Sequence, residues 1–311
     1  MALVGGSFLP YSVAMVTPFD AEGEFDPAAV APLVSHLVSA GAPGLLISGS
    51  TGEQHCLSIE ERCTLYKLAR EAAGPGVKLY AGVATVKTKL AVTLAQAAAA
   101  SQMDGIMLGF TPYNKYTQRD GAEYAKTVAA AVPDTPIFLY NNSGRQPFNL
   151  EPSTFVSIMQ AAPNVKGVKE VVNARVLEFK AAVAAAGLSP ELAYFSGSDA
   201  IVLAQFAEFG YNGLTSVVGQ VYTKEMAALV EKLQAGDAEG AAALWEREVA
   251  AGAALLAEGG ALLQSIKHVL RGRGAPAGHC CLPLQPLTAE QAAKLDVHFD
   301  LAPAAAAAST L

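Results

Sequence analysis

The stretch GLLISGSTGEQHCLSIEERCTLYKLAREAAG, residues 44–74, holds a strand, a turn and a helix in one unit. Leu45, Leu46 and Ile47 form an apolar run without polar alternation, as in a strand covered on both faces. Gly49 and Gly52 permit a tight turn. Ser58 and Glu61 have the spacing of a capping box, and the amphipathic stretch that follows runs to Gly74. Seven further runs of strand length punctuate the chain: SVAMVTPF (12–19), VKLYAGV (77–83), GIMLGF (105–110), PIFLYNN (136–142), VKGVKEV (165–171), LAYFSGS (192–198) and NGLTSVV (212–218). Ala-rich helical segments separate them, and the spacing is roughly that of a βα unit, about 30 residues.

Eight such units predict an α/β fold, a closed (β/α)8 TIM barrel, over residues 1–219. A doubly wound open sheet is the rival, but no Gly-rich dinucleotide fingerprint follows the first strand. Beyond residue 219 the pattern is wholly helical. Residues 221–235 read as the helix that closes the barrel, and 237–257 and 259–271 as helices packed outside it. Together, residues 220–300 form a C-terminal helical extension. Residues 301–311, ending in APAAAAASTL, read as a flexible Ala-rich tail.

Composition agrees with a large core: of 311 residues, 52% are hydrophobic and 16% charged. The net charge of −7 supplies no basic face for nucleic acid. No unbroken apolar run has the length of a membrane span. The N-terminal residues lack the features of a signal or transit peptide, so the expected location is the cytoplasm, or an organelle if a leader precedes this sequence. Cys56, Cys63, Cys280 and Cys281 lack zinc spacing and read as free thiols.

In a barrel, catalytic groups sit at the C-terminal ends of the strands. That rule draws attention to VKGVKEVV (165–172), where Lys166, Lys169 and Glu170 interrupt an otherwise buried run. Lys169, near the strand end, is a candidate nucleophile. Burial at the mouth of an apolar barrel lowers an amine's pKa, and a neutral amine forms a Schiff base with a ketone. Glu170 points to the opposite face and is poorly placed to neutralise it. Lys166, nearer the strand start, reads as solvated. In GSTGE (49–53), the turn at Gly49 with the hydroxyls and N–H groups of Ser50 and Thr51 can cradle a carboxylate. Tyr140 ends the fifth strand and can relay protons. Arg145, after a Gly turn, can grip an anion through two parallel hydrogen bonds. TPYNKYTQ (111–118) adds Tyr113 and Tyr116 in a loop that can also serve as a subunit contact.

With these motifs in this order, the chain resembles the dihydrodipicolinate synthase and N-acetylneuraminate lyase family of class I, pyruvate-dependent aldolases. TPF, GSTGE, TPY, YNNSGR, GVKE, FSGSD and LPLQPLT carry the resemblance over nearly the whole chain. It implies Lys169 as the Schiff-base lysine, Ser50 and Thr51 as the grip on the pyruvate carboxylate, and Tyr140 as the central proton carrier. Arg145 stands where synthases bind the second substrate's carboxylate. Tyr113, with Tyr116 as the alternative, matches the tyrosine lent by a neighbouring subunit. Gly49 and Val217 are implied to line the substrate. The resemblance implies no cofactor and no metal, pyruvate and an aldehyde as substrates, and a homotetramer built as a dimer of dimers.

The departures bear on the substrate. Ser50 replaces the first of two threonines usual in synthases, Tyr113 lacks an adjacent tyrosine, and TSVVGQ lacks an asparagine common in synthases. Arg145 favours condensation of pyruvate with aspartate semialdehyde. The alternatives are an aldolase for N-acetylneuraminate, 2-keto-3-deoxygluconate or 4-hydroxy-2-oxoglutarate, and a non-catalytic barrel that binds a keto acid.

Overall fold

The computed structural model describes residues 8–113, 115–172, 174–188 and 191–301. From residue 302 onward, the predicted tail lies outside them. Eight parallel strands close into one barrel in sequence order: β1 (Tyr11–Ala14), β2 (Gly44–Ile47), β3 (Lys78–Val83), β4 (Gly105–Gly109), β5 (Ile137–Asn141), β6 (Val165–Glu170), β7 (Ala193–Ser196) and β8 (Gly213–Ser216). Helices α1 (Val30–Ser39), α2 (Ile59–Ala73), α3 (Thr88–Ala100), α4 (Gln118–Ala131), α5 (Pro152–Ala161), α6 (Arg175–Ala185), α7 (Val202–Phe209) and α8 (Thr223–Gln234) follow the strands in turn. The predicted capping box at α2 is present. Ser58 Oγ accepts from the Glu61 N–H at 3.1 Å, and Glu61 Oε2 accepts from the Ser58 N–H at 2.7 Å.

Alternation along the strands divides the core in two. Val13, Leu45, Ile47, Leu79, Ile106, Leu139 and Val168 face the helices in one large cluster. Ala14, Leu46, Tyr80, Met107, Phe138, Ala193 and Phe195 fill the barrel interior, joined by Phe8 and Leu9. Phe138 and Phe195 meet edge to face at 5.3 Å between centroids, Tyr80 and Phe138 at 5.7 Å, and Phe8 and Phe195 at 5.2 Å. Such contacts contribute about 0.5–1.5 kcal/mol each beyond area burial. The buried Tyr80 hydroxyl accepts from the Leu9 N–H at 2.8 Å. The lower barrel is therefore a solid plug, and the open space lies above it, at the C-terminal strand ends.

The first strand is shorter than the predicted run 12–19. Pro18 has no N–H for a ladder, and from Met15 onward the chain leaves the sheet. The Val16 N–H donates to Gln220 Oε1 at 2.9 Å and Thr17 Oγ1 to the Gly52 carbonyl at 2.7 Å. The other seven strands fall within their predicted runs.

After α8 come α9 (Ala238–Leu244), a π-helical turn at Trp245–Val249, α10 (Ala250–Leu256), α11 (Leu262–Gly272) and α12 (Ala289–His298). The predicted helix 237–257 is thus interrupted by the π turn. The sequence reading had no bounds for α12, although Thr288 and Gln291 form a capping box at its start.

Candidate active site

Lys169, the penultimate residue of β6, is 7% exposed. Its register partner on β5 is Tyr140, whose own partner on β4 is Gly109. Paired residues of adjacent parallel strands share a face, so Lys169 and Tyr140 both point to the barrel mouth. The lysine Nζ lies 4.8 Å from the centroid of the Tyr140 ring. Gly197, after β7, makes this packing possible: a Cβ there would come within 2.9 Å of Lys169 Cε. Burial pulls the Lys169 amine down from 10.5 to about 8. The Asp199 carboxylate opposes that shift and the Arg145 guanidinium reinforces it. A sizeable fraction of the amine is therefore neutral near physiological pH.

Glu170 turns to the outer face, as alternation requires. It accepts from Asn141 Nδ2 at 2.7 Å and from the N–H groups of Val171 and Val172 at 2.7 and 2.9 Å. Asn141 follows Tyr140 and Glu170 follows Lys169, so this bond ties the two strand ends together directly behind the candidate catalytic pair.

The cavity above the plug measures about 280 Å³. Gly49, Ser50, Thr51, Tyr140, Arg145, Lys169 and Val217 all line it, together with Gln54, Asn142, Gly197 and Ser198. The turn holding Ser50 and Thr51 is built by local hydrogen bonds. The Gly52 N–H donates to the Gly49 carbonyl at 3.0 Å and the Glu53 N–H to the Ser50 carbonyl at 3.2 Å. Glu53 then adopts a left-handed φ of 49°, uncommon for a non-glycine residue. A buried ion pair holds it there: Lys267 Nζ reaches Glu53 Oε1 at 2.7 Å, with both side chains at most 1% exposed. The Cys281 N–H donates to Glu53 Oε2 at 2.8 Å.

Arg145 sits in a loop fixed by Asn142, whose carbonyl accepts from the Arg145 and Gln146 N–H groups at 3.0 and 2.9 Å. Asn142 Nδ2 also donates to the Tyr140 hydroxyl at 2.7 Å. Among the described residues no carboxylate pairs with the exposed Arg145 guanidinium, which is free to meet an anion at the mouth. Val217 frames the wall, held by its N–H donating to Asp199 Oδ2 at 2.8 Å.

Tyr113 is not brought to this cavity. It is 91% exposed, with φ at 86°. Tyr116 is already engaged: its hydroxyl donates to the Thr111 carbonyl at 2.7 Å and its ring packs on Phe148 at 5.5 Å. A more open depression of about 510 Å³ shares Ser50, Gln54, Ala84 and Arg145 with the cavity and continues to Phe110 and Pro112.

The sequence reading missed Asp199, Asn142 and Gln54. Asp199 was legible in principle, because FSGSD ends a barrel strand and rim residues follow strand ends. Asp199 accepts from the N–H groups of both Val217 and Val218, and burial raises its pKa against the opposing pull of these bonds, of the Ser216 hydroxyl and of Lys169. Gln54 reaches the cavity only through the fold of the turn. All four cysteines are free. Among the described residues, one group of side chains of metal-binding type, Glu53, Cys56 and Cys281, lies beside the turn rather than in the cavity.

Residues 7–301 match the model of the dihydrodipicolinate synthetase family. The 4-hydroxy-tetrahydrodipicolinate synthase of a Synechococcus strain is 35% identical over 88% of both chains. That of Moorella thermoacetica is 34% identical over 91% of this chain and 94% of its own. The lysine-bound dihydrodipicolinate synthase of Cyanidioschyzon merolae superposes with a TM-score of 0.83 at 29% identity, covering 95% of this chain and 99% of the other. The N-acetylneuraminate lyase of Mycoplasma synoviae gives 0.80 at 25% identity, covering 93% and 96%. The chain belongs to the dihydrodipicolinate synthetase family, whose members are lyases and synthases of the class I aldolase type working through a lysine Schiff base.

Proposed function

We propose that the protein condenses pyruvate with aspartate semialdehyde, as a 4-hydroxy-tetrahydrodipicolinate synthase of lysine biosynthesis. One observation carries the reading: a buried lysine of lowered pKa shares a cavity with a hydroxyl-bearing turn, a tyrosine and an exposed arginine. Ser50 and Thr51 take the pyruvate carboxylate through hydroxyls and N–H groups. The neutral Lys169 amine adds to the keto carbon, and loss of water leaves an iminium. The iminium withdraws electrons from the methyl carbon, which loses a proton to become an enamine. The enamine carbon attacks the aldehyde, and the new alkoxide takes up a proton. The amino group of the incorporated semialdehyde then adds to the iminium carbon, closing the ring and expelling the free Lys169 amine. Tyr140, beside Lys169 and bonded to Asn142, relays these protons. Arg145 holds the carboxylate of the incoming aldehyde.

Tyr113 completes the relay from a neighbouring subunit in a homotetramer built of tight dimers. Two exposed side chains, Val86 and Tyr113, support the subunit contact: Val86 lines the open depression and Tyr113 follows its lining residue Pro112.

Borohydride reduction in the presence of pyruvate, followed by peptide mapping, tests the mechanism. A single adduct at Lys169 is expected, and an adduct at Lys166 or Lys267, or none, refutes it. Turnover across a panel of aldehydes and 2-keto acids tests the substrate. Preference for a neutral or hydroxylated acceptor moves the assignment to the aldolase branch.

A further inference from the structure

We propose that Cys56 and Cys281 form a reversible intramolecular disulfide, which ties the turn carrying Ser50 and Thr51 to the segment that follows α11. The inference goes beyond the catalytic reading and does not depend on it. The two residues are far apart in sequence, yet Glu53 anchors both main chains. Its carbonyl accepts from the Cys56 N–H at 2.8 Å, and its Oε2 accepts from the Cys281 N–H at 2.8 Å. The two sulfurs and a Glu53 oxygen all lie within 4.8 Å of one another. A disulfide requires about 2.05 Å between sulfurs, so the side chains must turn toward each other. Cys281 Sγ must also give up its 3.4 Å contact with the Gly23 carbonyl.

The same atoms do not make a convincing metal site. Both Glu53 oxygens are engaged, one by Lys267 and one by the Cys281 N–H. Two thiols remain, fewer than the three or four protein ligands of a zinc centre. The remaining thiols fall outside this group: Cys63 lies on α2, and Cys280, whose thiol also meets the Glu53 carboxylate, lines a separate depression beside Arg271 and His279.

The chemistry needs a disulfide oxidant, such as glutathione disulfide. The half-buried Cys56, as thiolate, attacks one sulfur of the oxidant and expels one thiolate. Cys281, as thiolate, then attacks Cys56 Sγ and expels the second. The two cysteines lose two electrons, which reduce the oxidant to two thiols, and those thiols take up the two protons. Burial raises the pKa of both cysteines, so exchange accelerates as pH rises. Gln54, between Thr51 and Cys56, lines the cavity, so the cross-link braces the cavity wall.

The test is incubation of the full chain with glutathione disulfide at pH 8, alkylation, and non-reducing peptide mapping. The expected product is one Cys56–Cys281 peptide lighter by two hydrogens, reversed by dithiothreitol, with Cys63 alkylated. The oxidised protein should melt on the order of 5 °C higher than the reduced one. Cys56→Ser and Cys281→Ser should each abolish both effects, and Cys63→Ser should retain them. A Cys280–Cys281 link, glutathione adducts without a cross-link, or four alkylated thiols would overturn the proposal. So would one zinc ion per purified chain that is lost in Cys56→Ser.

Discussion

Tyr140 and Lys169 are register partners on neighbouring strands, and the amine lies 4.8 Å from the tyrosine ring centroid. The geometry sets the proposed nucleophile against the proposed proton carrier without any loop between them. Tyr140→Phe keeps the ring and removes the hydroxyl. Turnover should fall roughly 10²- to 10⁴-fold, the usual worth of a positioned acid–base group. Borohydride should still trap pyruvate on Lys169. Unchanged turnover in this variant would remove Tyr140 from the mechanism.

The lowered pKa of Lys169 has two measurable consequences. Adduct formation needs the neutral amine, so its rate should rise with pH and level off above about 8. Asp199 favours the charged amine, so Asp199→Asn should move that inflection to lower pH. Arg145 disfavours it, so Arg145→Ala should move it higher. Trapping rates between pH 6 and 10 read all three.

The same shift affects stability. The folded value, about 8, lies below the ordinary 10.5. The charged amine therefore destabilises the fold fully below pH 8, and the penalty fades as pH rises from 8 towards 10.5. Lys169→Met should stabilise the protein by up to about 3 kcal/mol at pH 7 while abolishing activity. Denaturant unfolding at pH 7 and pH 10 should show the gain shrinking at the higher pH.

Arg145→Ala should cost about ten- to a hundredfold in kcat/KM for aspartate semialdehyde, the loss of a charge-assisted contact of roughly 1.5–3 kcal/mol. A neutral aldehyde should be nearly indifferent, and Arg145→Lys should restore only part. Equal losses for both acceptors would mean that Arg145 shapes the loop rather than binding the substrate.

Glu53 and Lys267 form a pair with both side chains at most 1% exposed. Lys267→Met leaves a buried carboxylate uncompensated and should destabilise by about 3–5 kcal/mol. The double variant Glu53→Gln with Lys267→Met should recover part of that loss. A double-mutant cycle by chemical unfolding measures the coupling, and strict additivity would contradict it.

Tyr113 is 91% exposed and outside its own chain's cavity. Tyr113→Phe should nonetheless lower turnover, and mixing this variant with Lys169→Ala chains should regain activity in hybrid oligomers. Sedimentation should show tetramers at micromolar concentration. A fully active monomer would refute the shared site.

Much of this was legible in the chain itself. Short runs such as Leu45–Ile47, set apart by capped helices, determine eight βα units, because uninterrupted apolar strands need cover on both faces. Alternation along VKGVKE determines that Lys169 and Glu170 part company, one to the mouth and the other to the helices. The tertiary structure decided what rests on contacts between distant segments. Asp199 affects Lys169 only because β7, which it follows, lies beside β6. Glu53 is held by Lys267, which follows it by 214 positions. Tyr116 was indistinguishable from Tyr113 until its hydroxyl met Thr111. Periodicity reports local direction along one element, whereas the field and hydrogen bonds around a buried group are summed over whatever the closed barrel brings beside it.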